Sequence, residues 1–300
     1  MITISSHPAS KSIYESLESL FYSGSIFLSK HQHFSFVCGK ADDENSKRAL
    51  FLKYLKENSH THQILPILAE KAVEEFLAHD VPTHPDLGKF EELIAACVDS
   101  VLIFPESPGS FAELGYFAAT KNIKDKALIA NTHQTNSFIN AGIIPLYNSS
   151  SSPYKSALVI GEDSDKDNKT VLDRLLVTKS TQKYRARFSI DNFRNLPEKH
   201  KMILIYELIR VLGFITEKNL YETIHQVFKG YEIENVKRLL AILMAMNYVN
   251  RNENGDYFSV KSAPALLEYE KDKFEKTKIG IVGFYQTHCP EIIKLIEDIE

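Results

Sequence analysis

Val98-Asp-Ser-Val-Leu-Ile-Phe-Pro-Glu-Ser-Pro-Gly-Ser-Phe-Ala-Glu-Leu-Gly-Tyr-Phe117 is the stretch on which the reading of this chain turns. Ser100-Val-Leu-Ile-Phe104 is a short apolar run closed by Pro105, the pattern of a buried strand. A turn of small residues follows, and a helix is expected over 110–120. In an open parallel sheet, ligands bind beyond the carboxyl ends of the strands, so this turn falls where a pocket belongs. Backbone N–H groups from Gly109 to Ala112 would face an anionic group there. Glu113 is expected in the first helical turn, where the macrodipole favours its ionised form. An ionised carboxylate beside a phosphate- or ribose-binding turn suits attack on, or stabilisation of, a sugar C1′ cation. Glu106 lies on the same turn, and paired carboxylates can divide stabilising and acid–base roles. The same residues also have a purely structural reading. Ser110-x-x-Glu113 fits a capping box, with the serine as cap and the glutamate returning to the cap N–H. Gly115 would then serve only close helix packing. Pattern alone leaves both readings open.

Outward from this stretch, strand and helix signals alternate. Phe34-Ser-Phe-Val-Cys38 followed by Gly39 predicts a buried first strand and a turn. Residues 43–58 carry Ala49, Leu50, Leu52 and Leu55 at helical spacing. A second strand or helix entry is expected over 63–68 and a helix over 71–78. Phe90, Leu93, Ile94 and Cys97 mark one face of a helix ahead of the central strand. Further strands are expected at 127–130 and 156–160. This alternation indicates a parallel sheet with crossover helices, an α/β half of Rossmann-like build.

Polar stretches at 148–152 and 162–169 mark a boundary, beyond which helices dominate. Apolar spacing predicts helices over 199–213, 220–228 and 233–247, and 248–260 reads as a hairpin turning at Asn254-Gly255. Three helices with a two-stranded wing make a winged helix-turn-helix. The expected organisation is a catalytic domain over 1–160, a basic linker over 161–194, a winged helix over 195–265 and a C-terminal extension over 266–300.

Composition bounds the possibilities. The 300 residues are 44% apolar and 25% charged, which excludes wholesale disorder. A net charge of −4 excludes a strongly basic nucleic-acid coat. No apolar run approaches the roughly 18–20 residues of a membrane span, and Met1-Ile-Thr-Ile-Ser-Ser-His-Pro8 lacks the features of a signal peptide. A soluble cytoplasmic protein is expected. Three scattered cysteines, Cys38, Cys97 and Cys289, argue against a disulfide framework or a cysteine-rich zinc site. His31-x-His33 and His60-x-His62 have no nearby cysteine or paired carboxylate to complete a metal shell, so they read as surface histidines. Between Lys169 and Arg210 ten basic residues face four acidic ones, with Tyr184 and Phe188 interleaved. That pattern suits a phosphate backbone, through Lys183, Arg185 and Arg187, and equally a solvated linker. The third helix of the winged part offers only Lys237 and Arg238 near its start, so docking is expected there rather than base reading.

The run Gly-Ser-Phe-Ala-Glu113-Leu-Gly-Tyr resembles the active-site helix of nucleoside 2-deoxyribosyltransferases, in which the helical glutamate is the nucleophile toward C1′. The block Phe104-Pro-Glu-Ser-Pro-Gly-Ser-Phe-Ala-Glu-Leu-Gly-Tyr-Phe117 is more similar still to the deoxyribosyltransferase-like effector toxins of retron antiphage systems. Phe36-Val-Cys-Gly39 and Asn136-Ser-Phe-Ile-Asn-Ala-Gly142 share that resemblance, and those effectors also carry a C-terminal winged-helix part. The resemblance implies N-glycosidic cleavage with NAD as a substrate class and no separate cofactor or metal. It implies restraint by a reverse transcriptase and its multicopy single-stranded DNA–RNA hybrid (msDNA), and a homo-oligomer. It carries the nucleophile to Glu113, an assisting role to Glu106, and substrate contacts to Ser107, Gly109, Ser110 and Asn140. Cys38, Gly39 and Lys40 are also expected to contact substrate, although Cys38-Gly39-Lys40 departs from the two glycines the family has after the first strand. Lys40 reads there as a phosphate contact or as a solvated turn residue. Other readings are a nucleotide-sensing DNA-binding regulator, a deoxyribosyltransferase proper, or a phosphoribohydrolase. The last expects Pro-Gly-Gly-x-Gly-Thr where Pro105-Glu-Ser-Pro-Gly-Ser110 stands.

Overall fold

The computed structural model describes residues 10–29, 33–59, 64–78, 86–132, 138–148, 151–155, 157–181, 186–230 and 232–299. The chain opens with α1 (Ser10–Phe21) and β1 (Ile26–Leu28), followed by β2 (His33–Cys38), α2 (Lys47–Glu57), β3 (Ile64–Ile67) and α3 (Ala69–Leu77). Next come α4 (Leu87–Cys97), β4 (Ser100–Ile103), α5 (Pro108–Ala119), α6 (Lys121–Lys124) and β5 (Ala127–Asn131). A π-helical turn (Ile139–Ile143) leads into α7 (Ile144–Asn148), β6 (Ala157–Val159) and α8 (Ser164–Thr181). After β7 (Arg187–Phe188) come α9 (Glu198–Leu212), β8 (Phe214–Ile215), α10 (Glu217–Phe228) and α11 (Ile233–Ala245). The chain closes with β9 (Val249–Arg251), β10 (Tyr257–Ser259), β11 (Leu267–Glu268), α12 (Lys271–His288) and α13 (Pro290–Ile299). Among the described residues, no helix is long and apolar enough to cross a membrane.

These elements form two compact units, each discontinuous in sequence: 31–74 with 80–184, and 1–30 with 75–79 and 185–300. The first is α/β. Its five strands run parallel in the order β3-β2-β4-β5-β6. Every residue of β2, β4 and β5 is buried, as expected of strands covered on both faces. On one face Val37, Leu102 and Leu128 pack with Phe51 and Leu55 of α2 and with Val171, Leu172 and Leu175 of α8. On the other, Phe36 meets Phe117 of α5 edge to face. The predicted basic linker thus departs from the structure. Over 164–181 the chain is a helix whose apolar residues complete the α/β core, and a solvated linker would bury none of them.

His33 also departs from its expected place on the surface. It is 3% exposed, and its Nε2 lies 2.8 Å from Ser100 Oγ on the neighbouring strand. His31, His60 and His62 lie outside the described residues. The strand order reverses between β2 and β4, because β2 connects onward to β3 on one side and β4 to β5 on the other. Their carboxyl ends, Cys38 and Ile103, are paired in register. This reversal is where an open α/β sheet leaves a crevice.

The second unit is mostly helical with two small antiparallel sheets, β11-β1-β7 and β8-β10-β9. The succession α9, β8, α10, α11, β9, β10 matches the predicted three helices and hairpin. Gly255 takes φ +84° in the hairpin turn, where Asn252 Oδ1 accepts from the Asp256 N–H at 2.8 Å. β1 is the middle strand of the other sheet, pairing with β7 through Phe27↔Arg187 and with β11 through Phe27↔Glu268. No strand or helix is expected from the sequence before residue 34; three-residue β1 leaves almost no periodic signal, whereas Ile13, Leu17, Leu20 and Phe21 of α1 do follow helical spacing and bury one face. Glu207 of α9 is fully buried and accepts from the Leu266 and Leu267 N–H groups, Tyr269 and Arg210. It fastens the chain ahead of β11 to α9.

Two glycines separate packing need from open space. A Cβ at Gly39 would stand 2.7 Å from the Arg48 Cβ, whereas one at Gly115 would meet nothing within 4 Å. Close packing inside this chain therefore does not account for Gly115. Gly39→Ala should lower stability by on the order of 1–3 kcal/mol through overpacking. Gly115→Ala should raise it by about 0.5–1 kcal/mol by removing a glycine from a helix interior. Thermal or denaturant midpoints of the two variants check both signs.

Candidate active site

The crevice at the β2/β4 reversal is built first by Glu106. Its Oε2 accepts from the Lys47 N–H at 2.8 Å, and its Oε1 from the Arg48 and Lys40 N–H groups at 3.1 and 3.3 Å. The carboxylate therefore anchors the start of α2, where unpaired amides and the helix dipole favour an anion. Ser46 adds the side-chain cap, accepting from the Ala49 N–H at 3.1 Å. Glu106, expected to assist in chemistry, is committed to main-chain groups.

The two serines are committed as well. Ser107 caps α5 and forms a capping box with Ser110: Ser107 Oγ accepts from the Ser110 N–H at 3.2 Å, and Ser110 Oγ accepts from the Ser107 N–H at 2.9 Å. Ser110 Oγ also accepts from the Glu106 N–H at 3.0 Å and is buried. This corrects the expected box, since the helix starts at Pro108 and not at Ser110. Pro105 and Pro108 favour an extended turn and a helix start, which moves the cap back three residues. Substrate contacts through the Ser107 and Ser110 hydroxyls are correspondingly weakened as a reading. Gly109 is exposed beside them.

Glu113 then falls in the second turn of α5, beyond the capping positions. Its carboxyl group has no capping role. Oε2 is shielded from solvent and has no hydrogen-bond partner among the described residues. Burial pushes its pKa from 4.5 up to about 7, and the Glu91 carboxylate of α4 adds to the rise. A hydrogen bond from the Cys38 thiol and the Arg48 guanidinium pull the other way, while Glu70 of α3 opposes them. Cys38 is itself fully buried, and burial together with Glu113 holds its thiol well above the usual range. It is therefore a wall of the site and a neighbour of Glu113, not an exposed substrate contact. Burial also raises the Glu91 carboxyl. Two carboxyls raised in this way mark this end of the sheet as the candidate site.

Asn140 stands in the π-helical turn, and its Oδ1 accepts from Asn131 Nδ2 at 2.7 Å. Asn131 ends β5, so the amide of Asn140 is held at the same carboxyl edge of the sheet as Cys38. Gly142 in this turn is overlain by the Phe138 ring, which would stand 3.0 Å from an added Cβ. Lys40 is exposed and pairs with Asp43 at 2.8 Å, the arrangement of a solvated turn. Sequence reading missed Arg48, Glu70, Glu91 and Asn131. Each lies beside an apolar stripe or at an element's end, and only the crossover geometry brings them to one edge. Among the described residues, no group of three or more His, Cys, Asp or Glu side chains could hold a metal ion.

The basic residues read as nucleic-acid contacts fare unevenly. Lys183 and Arg185 lie outside the described residues, while Arg187 is exposed on β7. In α11, Lys237 lies 3.9 Å from Glu217, and Arg238 lies 3.3 Å from Glu234 with its guanidinium over the Phe76 ring. Within the stretch 169–210, Arg174 donates to Tyr154 O, Lys201 to Glu198 and Arg210 to Glu207. Three of the ten basic residues of the stretch are therefore spent on internal partners.

A family model described as STM3845 retron effector protein matches residues 44–251. The chain belongs to this retron effector family. It is 42% identical over 63 residues to the Escherichia coli protein named retron Ec86 putative ribosyltransferase/DNA-binding protein, an alignment covering 20% of each chain. It is 26% identical over 287 residues to the corresponding Escherichia coli protein of retron Ec73, named in the same terms, with 89% of each chain covered. In this retron effector the matched span takes in Arg48, Glu70, Glu91, Glu106, Glu113 and Asn140, and begins after Cys38-Gly39-Lys40.

The displaced ionisation of Glu113 has a consequence for stability. Between pH 4.5 and about 7 the unfolded chain releases a proton that the folded chain keeps. Stability therefore falls as pH rises through that window and stays lowered above it. Glu113→Gln should abolish this fall, which is on the order of 1–3 kcal/mol. Denaturant midpoints of both proteins at pH 4, 5.5 and 8 check it, the difference between them growing with pH.

Proposed function

We propose that this effector is an N-glycosidase toxin of an antiphage retron, cleaving the nicotinamide N-glycosidic bond of NAD or a related nucleotide. The observation that carries the reading is a carboxyl group without a structural task. Glu106 holds a helix, Ser107 and Ser110 hold a capping box, and Glu113 is left half-buried, with a shielded and unpartnered oxygen, near the strand reversal. The sheet order and this glutamate together favour a nucleoside 2-deoxyribosyltransferase-like, Rossmann-like fold for the α/β unit. The name ribosyltransferase carried by its relatives points the same way.

In this reaction the C1′–N bond breaks and its electron pair goes to the pyridinium nitrogen, so nicotinamide leaves neutral without an acid. Ionised Glu113 bonds to, or stabilises, the cationic C1′, and water completes the exchange with release of a proton. Asn140 suits contact with the ribose hydroxyls, being anchored from β5. A pKa about 7 leaves part of the carboxyl protonated at neutrality, so the rate should rise with pH through that value and then level off. A nucleoside with a neutral base would need an acid as well, and its profile would be bell-shaped. Glu113→Gln should lower NAD consumption by about 10²–10³-fold while remaining folded. The assay uses effector released from its partners, and equal consumption by both proteins would overturn the reading.

The second unit is proposed to hold a winged helix that docks the effector onto the retron's reverse transcriptase and msDNA. Support comes from the pairing of Lys237 and Arg238 within the unit, which leaves α11 poorly equipped to read bases. Backbone contact would then fall to Lys183, Arg185 and Arg187. Replacing all three with glutamine should weaken assembly and flatten its log–log salt slope by roughly 2–3. Binding titrations at several salt concentrations test this, and an unchanged slope would return the segment to a solvated connection.

A further inference from the structure

One apolar side chain stands where burial does not explain it. Phe138 is 78% exposed, the most exposed large apolar side chain among the described residues. A single exposed apolar residue is ordinary, but this ring has a shaped seat. It lies over Gly142, where an added Cβ would stand 3.0 Å from Cε2 and 3.1 Å from Cδ2. Gly142 takes no positive φ, so the backbone does not demand glycine there. Glycine is a weak former of helical turns, and π-helical turns are rare and frequent at functional sites. The missing Cβ makes room for the ring, whose other face stays open to solvent. This seat is fixed to the candidate site at two points. Asn131, 2% exposed at the end of β5, donates to Asn140 Oδ1 at 2.7 Å. Tyr147, fully buried in α7, donates at 2.6 Å to Leu114 O, the carbonyl next to Glu113 in α5. A bare aromatic face, the Asn140 amide and the Glu113 helix are thus tied together at one end of the sheet.

We infer that Phe138 is a specificity-determining residue: the planar pyridinium base on the scissile ribose stacks on its ring, and Gly142 keeps that ring in place. This rests on Glu113 being the carboxylate that meets C1′ of a pyridinium nucleotide. A cationic ring is attracted to the negative face of a phenyl ring and is also shielded from water by it. The positive charge leaves the base as the C1′–N bond breaks. The charge attraction therefore belongs to the bound substrate and fades in the transition state. Phe138 accordingly governs affinity and the choice of substrate, and not the rate of the bond-breaking step.

Kinetics of effector released from its partners give the first test. Phe138→Ala should raise KM for NAD on the order of 10-fold while kcat holds or rises. Gly142→Ala, which tilts the ring, should raise KM by a smaller factor without loss of thermal stability. In the Phe138→Ala background it should add nothing. An unchanged KM in Phe138→Ala, or a fall in kcat without a change in KM, overturns the inference. So does a changed sedimentation coefficient with an unchanged KM, which would assign the ring to a contact between copies. Binding is read separately from cleavage. The chain has no tryptophan, so Phe138→Trp in the Glu113→Gln background carries a single reporter. NAD should quench its emission saturably, whereas ADP-ribose, which lacks the base, should not. Absent or non-saturating quenching by NAD overturns the platform whatever the consumption. Saturable quenching with no NAD consumption by the released wild type would uphold the platform and reject the glycosidase.

Discussion

Three main-chain N–H groups converging on the Glu106 carboxylate hold the functional end of this molecule together. They come from the turn after β2 and from the first two residues of α2, and the carboxylate comes from the end of β4. The two strands at which the sheet order reverses are thereby tied at their carboxyl ends. Charge-assisted bonds of this kind are stronger than neutral ones, and the positive end of α2 favours them further. The tie brings α2 so near the strand end that only glycine fits at 39, and it delivers Arg48 to the buried edge. Two glutamates seven residues apart thus divide the work. One is consumed in holding the start of α2, and the other keeps one oxygen, Oε2, without a partner among the described residues.

Much of this was legible in the sequence, for reasons that can be named. β2, β4 and β5 are unbroken apolar runs, which is what strands covered on both faces require, and the helices between them carry clear stripes. The importance of the turn from Phe104 to Glu113 followed from its composition. The assignment of tasks within it did not. Ser110-x-x-Glu113 and Ser107-x-x-Ser110 compete for the same helix start, and the register was decided by prolines at 105 and 108 together with the burial of Ser110 Oγ. Arg48, Glu70 and Glu91 were invisible because they sit on three different helices. Their convergence is a property of the crossovers and has no counterpart in local spacing. The basic stretch misled in the opposite sense. Charges counted along the chain ignored that Lys201 and Arg210 find acids one helical turn away and that Arg174 donates to a main-chain carbonyl.

Two kinds of unit are joined in this chain, one built on a five-stranded parallel sheet and one mostly helical with two small antiparallel sheets. In each unit a carboxylate does architectural work: Glu106 receives the amides at the start of α2, and the buried Glu207 receives those at the start of β11. Neither carboxylate would be recognised as structural from its neighbours in sequence. Glu113 differs from both in having no amide to receive.

The placement of β1 in the middle of a sheet whose other strands begin at residues 187 and 267 has a consequence for biogenesis. Residues 26–28 are made before the α/β unit, yet β7 follows only after that whole unit and β11 only after most of the second unit as well. The α/β unit is an insertion that closes with residue 184, so during synthesis it is complete while the earlier segment still waits. Such long-range pairing is slow to form, and an unpaired strand edge is a hazard until it does. The unit bearing Glu113 is thus finished first, and the unit proposed to meet the retron partners is finished last.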